Sequence, residues 1–273
     1  LHYPEVKERL QRLETELAEP TQELLALLIP QLAPEDLSLE EERFELSVVI
    51  PTYKEAKNLR ELYDRIFKTL RLYDFEVIFV DDNSPDGTAE LAQKIGGVYG
   101  NVQVLKRNGK NGLSSAVLDG IGLARSDIVV VMDADLQHPP EALLGMVEKA
   151  FEGYDIVVGS RYIPGGSIAN WSALRRCISK GGILLAHALL PETRAVKDPV
   201  SGFFMFRKQV IDRKEINASG FKILIEILMK GNHRSLAEVP FRFRSRQKGD
   251  SKFDARVIMD YIIFILKLRL GMF

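Results

Sequence analysis

The sequence predicts an α/β fold built on a parallel sheet. Three observations carry this. Five short runs rich in Val and Ile lack the polar alternation of a strand with one wet face, so both their faces are buried. Stretches of helical length separate them, as in successive βαβ units. Polar clusters follow the strand ends, and ligands of such sheets bind beyond the carboxyl ends of the strands.

Residues 1–44 come first and read as two or three helical pieces. Leu10, Leu13, Leu17, Leu24 and Leu28 recur near helical spacing, with Pro4, Pro20, Pro30 and Pro34 interrupting them. They form an N-terminal helical extension outside the main body. "LSVVIP" (46–51) is the first strand, followed by a helix near 55–72. "FEVIFV" (75–80) is the second, with a helix near 85–96. "VQVLK" (102–106) is the third, with a helix near 112–125. "DIVVVM" (127–132) is the fourth, with a helix near 139–152, and "DIVVGS" (155–160) is the fifth. Apolar helical stretches at 171–190 and 256–273 follow, the latter within an amphipathic C-terminal segment, 253–273.

The 273 residues are 46% hydrophobic and 27% charged, an ordinary globular balance with room for a sizeable core. One cysteine, Cys177, rules out an internal disulfide and reads as a small buried residue. No Cys–His cluster suggests structural zinc. Residues 1–20 do not read as a secretory leader. "YIIFIL" (261–266) is far short of the roughly 20 apolar residues of a membrane span. Charge is uneven: residues 1–45 hold twelve acids and four bases, and the remainder holds 33 bases and 26 acids. A basic body suits nucleotides, phosphates or a lipid surface. Nucleic acid is disfavoured, because no aromatic stacking pattern accompanies the bases.

The strand-end clusters are "PTYKE" (51–55), "DDNSPDGT" (81–88), "DADLQ" (133–137) and "SRY" (160–162). Asp133 and Asp135 end an apolar strand, with Gln137 two residues on. Their oxygens suit a hard divalent cation, Mg²⁺ or Mn²⁺. One acid of the Asp81–Asp82 pair is placed to accept hydrogen bonds from a nucleobase or ribose. Asn83, Ser84 and Asp86 are turn and cap residues. No G-x-G-x-x-G follows the first strand and no P-loop exists, which disfavours a dinucleotide oxidoreductase and a P-loop NTPase. The second half supplies cations: Arg161, Arg175, Arg176, Lys222, Arg246 and Lys252. The loop "RFRSRQKGDSKF" (242–253) has the composition to close over phosphates. His138, at a helix start, and His187 read as structural.

Together, "SVVIPTYKEAKNL", "VIFVDDNSPDGT", "VVMDADLQHPPE", "VVGSRY", "KDPVSGFFMF", "GFKILIEIL" and "RQKGDSKF" resemble, in order, the inverting family 2 glycosyltransferases. The match covers roughly 46–252 and is close to the dolichyl-phosphate mannose synthase branch. It implies a GT-A, Rossmann-like, mostly parallel sheet flanked by helices, with the catalytic domain over 45–252. It also implies roles by position. Pro51, Tyr53, Glu55, Val80 and Asp82 line the nucleoside pocket. Asp133, Ala134, Asp135 and Gln137 hold nucleotide and metal. Arg161, Lys222, Arg246 and Lys252 contact phosphates, with Asp135, Arg161 and Arg246 closest to catalysis. Arg175, or alternatively Arg176, meets the acceptor phosphate, while Asp198 and Ser201 shape the sugar pocket.

The implied reaction moves mannose from GDP-mannose to dolichyl or another polyprenyl phosphate, with Mg²⁺ or Mn²⁺. The competing readings are a UDP-glucose or other UDP-sugar donor, and a catalytically silent scaffold that binds nucleotide sugar or lipid. The Gln-x-x-Arg-Trp motif of processive synthases is absent; the one tryptophan, Trp171, lies in "NWSALRR". A polyprenyl phosphate requires a membrane surface, and the resemblance puts the active site on its cytoplasmic side. The stretches 171–190 and 256–273 have apolar faces with basic groups able to snorkel. A membrane-protein partner is the other expected route to the bilayer.

Overall fold

The computed structural model describes residues 44–109, 112–211, 216, 222–244 and 255–272. The helical extension expected over 1–44 lies outside them except for Phe44, as do Arg246 and Lys252. Residues 43–273 form one compact unit by contact density.

The chain alternates strands and helices as the apolar runs predict. The order is β1 (Leu46–Thr52), α1 (Ala56–Leu70), β2 (Phe75–Asp81), α2 (Thr88–Tyr99), β3 (Val102–Lys106), α3 (Leu113–Leu123), β4 (Ile128–Val131), α4 (Leu143–Phe151) and β5 (Ile156–Ser160). Then follow β6 (Ser167–Ile168), α5 (Ala173–Leu189), β7 (Phe204–Arg207), α6 (Ile223–Lys230), β8 (Leu236–Pro240), β9 (Arg242–Phe243) and α7 (Ala255–Leu270).

Seven strands form the main sheet in the order β3-β2-β1-β4-β7-β5-β8. β7 pairs antiparallel with both β4 and β5, and the other pairings are parallel. β6 and β9 make a separate two-stranded parallel ribbon. The central strands β1, β2 and β4 are buried along nearly their whole length, which explains their missing polar alternation. Alternate side chains enter opposite layers. Leu46, Val48 and Ile50 pack with α1, α2 and α4, while Val49, Val129 and Val131 pack with α3 and α6. A third cluster joins α5 to α7 through Ile183, Ala186, Tyr261, Phe264 and Ile265.

Two element starts differ from expectation for local reasons. α2 begins at Thr88 because Gly87 takes φ 82° and Asp86 accepts the Thr88 N–H and hydroxyl. The helix expected from 139 opens as a 3-10 turn over Pro140–Ala142, since proline has no N–H to donate. Cys177 corrects the expectation of burial: it is exposed, because α5 turns its later residues Ile183 and Ala186, not its first turns, into the core.

Gly120 sets how closely α3 approaches the sheet. A Cβ there would collide with a Val49 methyl and lie 3.0 Å from one of Val80. Gly120→Ala is therefore expected to destabilise by about 1–3 kcal/mol through overpacking. A shifted urea midpoint at constant slope would show it; an unshifted midpoint would mean that α3 is free to move outward.

Candidate active site

The polar clusters gather on the rim at the C-terminal ends of β1, β2, β4 and β5, as the parallel pairing requires. At the β1–β2 end, Pro51, Tyr53 and Glu55 are half-buried, and Glu55 accepts a hydrogen bond from Asn58 Nδ2 at 2.7 Å. Asp81 is a turn anchor: it accepts the Ser84 N–H and hydroxyl and the Thr52 hydroxyl. Ser84 and Asp86 likewise hold the rim, taking the N–H groups of Lys54 and Ala56. Val80 is fully buried in the core beneath it.

Asp82 differs from Asp81. Its Oδ1 receives Arg107 Nη1 at 2.7 Å, and both side chains are buried. Arg107 also meets Asp119 at 3.1 Å and donates to Ser115. Arg107 directs its donors to Asp82, Asp119, Ser115 and the Gly112 carbonyl, so it acts to hold Asp82 at the rim. Arg107 was missed by the sequence reading. Its signal is "KRNGKNG", a polar cluster closing the third strand as the others close theirs.

Beyond β4 the chain makes a tight turn over 132–138. Leu136 adopts φ 63° and is fully buried. Such a conformation costs a branched side chain about 1–2 kcal/mol, and burying a leucine returns about 1.5–3 kcal/mol. Asp135, 4% exposed, accepts the Gln137 N–H at 3.1 Å. The Gln137 carbonyl accepts the Arg244 N–H, and its Nε2 donates to the Arg244 carbonyl, leaving Oε1 as its side-chain acceptor. Asp133, with a side chain 38% exposed, lines a cavity of about 640 Å³. Two carboxylates with one amide oxygen fit a cation that completes its shell with phosphate oxygens and water. Among the described residues, no cluster of three or more His, Cys, Asp or Glu side chains offers an all-protein metal cage.

That cavity brings together Asp133, Arg161, Arg175 and Lys222. Arg161, on the loop after β5, makes a bidentate pair with Asp198: Nε–Oδ2 and Nη2–Oδ1 are both 2.7 Å, and its own N–H donates to the same carboxylate. Asp198 is fully buried, and its N–H is held by Glu238 of β8. Arg175 lies 4.3 Å over the Trp171 ring, with Arg161 5.8 Å from that ring. Arg176, the alternative, is exposed, outside the cavity lining, and donates to Ile168. Ser201 accepts the Phe203 N–H, and Gly202 packs against Asp133 and His138. The segment 198–203 therefore positions the rim.

Lys222 donates to the Val200 carbonyl at 3.0 Å. Burial, reinforced by Arg161, pushes its pKa down to about 8 against the pull of Asp133 and Asp198. Burial also lowers His138, to about 4, so its imidazole is neutral. The remaining wall is apolar: Trp171, Ile178 and Leu185 on the α5 side, Val257, Ile258, Tyr261 and Ile262 on α7. Tyr261 ties the helices together, donating its hydroxyl to the Gly182 carbonyl at 2.9 Å.

Comparison with known proteins finds the model of glycosyl transferase family 2 over residues 47–213. A dolichol-phosphate mannosyltransferase of Pyrococcus furiosus is 48% identical over 223 residues, 82% of this chain; the chain spans 63% of that protein's length. One of Mycosarcoma maydis is 39% identical, over 81% of this chain and 78% of its own. Among solved structures, glucosyl-3-phosphoglycerate synthase of Mycobacterium tuberculosis with Mn²⁺, uridine diphosphate and product superposes with a TM-score of 0.62 at 21% identity. The superposition covers 84% of this chain and 80% of that one, a likeness of fold.

Asp198→Asn removes the buried counter-charge of Arg161 and is expected to cost about 3–5 kcal/mol of stability. A thermal midpoint equal to wild type would mean that Arg161 is held by other means. Lys222 gives a pH signature. It is charged below about 8, so pyrophosphate affinity is expected to fall as pH rises through that value. Binding at pH 8.5 should take up a proton, measured calorimetrically in two buffers of different ionisation enthalpy. Lys222→Met should abolish the uptake; uptake that persists would assign it to another group.

Proposed function

Because the chain belongs to glycosyl transferase family 2, with dolichol-phosphate mannosyltransferases among its relatives, we propose that it transfers mannose, with inversion, from GDP-mannose to dolichyl or another polyprenyl phosphate. One observation carries the choice of acceptor. The cavity joins a cationic end, Arg161, Arg175 and Lys222, to an apolar wall between α5 and α7, and Asp133 is the sole carboxylate among its described lining residues.

That composition fits an amphiphilic anion. A sugar hydroxyl acceptor needs a base to take its proton. A lipid phosphate is already ionised at neutral pH. Its oxygen bonds to the anomeric carbon as the bond to the diphosphate breaks, and GDP departs with that electron pair. Asp133, Asp135 and Gln137 would hold a divalent cation, Mg²⁺ or Mn²⁺, which when bound supplies charge neutralisation for the leaving diphosphate. A neighbour of the same fold is solved with Mn²⁺ and uridine diphosphate, in keeping with a divalent cation at such a site. Arg161 and Lys222 add fixed positive charge in a site shielded from water, where it acts most strongly. Arg175, stacked on Trp171 where the cationic end meets the apolar wall, is assigned the acceptor phosphate. Asp82, held by Arg107, is assigned to the base. Pro51, Tyr53 and Glu55 complete the nucleoside side, and Arg246 and Lys252 are assigned to the phosphates by motif.

The α5–α7 wall reaches a surface with exposed Leu174, Leu184, Met259, Ile263, Leu266 and Leu270, and α7 ends in Lys267 and Arg269. No helix among the described residues is long and apolar enough to cross a membrane. These helices instead suit contact with the interface, where a polyprenyl chain enters from the bilayer. GDP-mannose reaches the site from the cytoplasmic side.

The test is a donor panel on vesicles carrying polyprenyl phosphate, with Mg²⁺ or Mn²⁺. Label from GDP-mannose should enter the organic phase. Product from UDP-glucose alone would reverse the donor, and product from neither would favour a silent binding scaffold. Arg175→Ala should raise the KM for lipid phosphate by about 10-fold or more, the worth of a charged hydrogen bond, with GDP affinity unchanged. An unaltered KM would remove Arg175 from the acceptor site.

A further inference from the structure

We propose that His138 is a positioning residue for Asp133: its Nδ1 fixes the Asp133 main chain and thereby aims the carboxylate that faces the cavity. This rests on the reading of Asp133 and Asp135 as the site for a cation and a diphosphate.

The need for it follows from where the sheet stops. β4 pairs with β1 through Val131, and Met132 still donates to the Val49 carbonyl. Asp133 carries the next N–H, beyond that ladder. His138 supplies its partner, accepting it on Nδ1 at 3.1 Å across five residues of chain. Accepting there requires the neutral tautomer with its proton on Nε2. The ring cannot turn away. It stacks on Phe203 at 5.2 Å and 16°, and the rings of Phe241 and Phe243 meet it edgewise at 5.6 Å. These aromatics come from the segment entering β7 and from the β8–β9 region, so two distant parts of the chain fix one imidazole.

The two aspartates differ in their dependence on this contact. Asp135 is buried and tied to the Gln137 N–H. Asp133 is the more exposed carboxylate, and His138 holds the main chain that carries it. Second-layer hydrogen bonds of this kind orient metal-site ligands, and losing one weakens metal affinity or activity by about 10–100-fold.

Two variants of the full chain separate aiming from packing. His138→Phe keeps the aromatic stack and loses the acceptor. His138→Asn puts Oδ1 where Nδ1 was and gives up the ring. Mn²⁺ affinity in the presence of GDP, read from the electron paramagnetic resonance of free Mn²⁺, should fall by about 10-fold in His138→Phe, with kcat falling about 10–100-fold. His138→Asn should retain both to within about threefold although its thermal midpoint drops further. Activity and Mn²⁺ affinity that follow the thermal midpoints, or a His138→Phe protein binding Mn²⁺ as wild type does, would overturn the proposal alone. A wild-type protein that binds no Mn²⁺ with GDP would overturn the reading of the aspartates and this proposal with it.

Discussion

The bidentate ion pair between Arg161 and Asp198 is the interaction on which the rest of the site depends. Two cations, Arg161 and Lys222, are buried in one cavity, and each disfavours the other. A buried charge without a partner is costly, and a pair needs near-ideal geometry to offset its desolvation. Here one carboxylate takes three hydrogen bonds from a single arginine. Asp198 is in turn fixed through its N–H by Glu238 of β8, so the pair is braced by the edge of the sheet. The guanidinium is held without lying on the surface, where water would weaken it.

The antiparallel strand makes this arrangement reachable. β7 lies between β4 and β5, so the chain entering it, residues 198–203, crosses the rim where the parallel strands end. One short segment therefore delivers Asp198 to Arg161, Gly202 to the Asp133 carboxylate and Phe203 to the face of His138. A wholly parallel sheet would have brought another strand end there and no such crossing.

Much of the fold was legible because the parallel strands are buried on both faces and the helices between them keep their length. β7 was not read as a strand: "FMFR" is four residues long, and periodicity cannot distinguish so short a run from a loop. The placement on the rim was legible where acids or bases stand at strand ends, as with Asp82, Asp133, Asp135 and Arg161. Arg107 escaped because its cluster looks like a glycine-rich turn, and its role appears only when β2 and β3 pair and bring it to Asp82. His138 was read as structural from its neighbouring prolines. Its hydrogen bond to Asp133 depends on the left-handed turn at Leu136, which no residue preference announces, since leucine rarely adopts it.

Under the proposed function, the same cavity matches a charge-dense centre to a lipid acceptor. Its cationic end is shaped by strand ends and loops, which present main-chain and polar groups. Its apolar wall is shaped by α5 and α7, whose own polar backbone is satisfied within each helix. Trp171 stands at the junction, under the Arg175 guanidinium and against Phe243. An anion on a hydrocarbon chain meets each surface with the matching part of itself. In the proposed reading its phosphate meets Arg175, and its first carbons replace water along the helices. The proposed acceptor class thus follows from where the helical wall meets the rim.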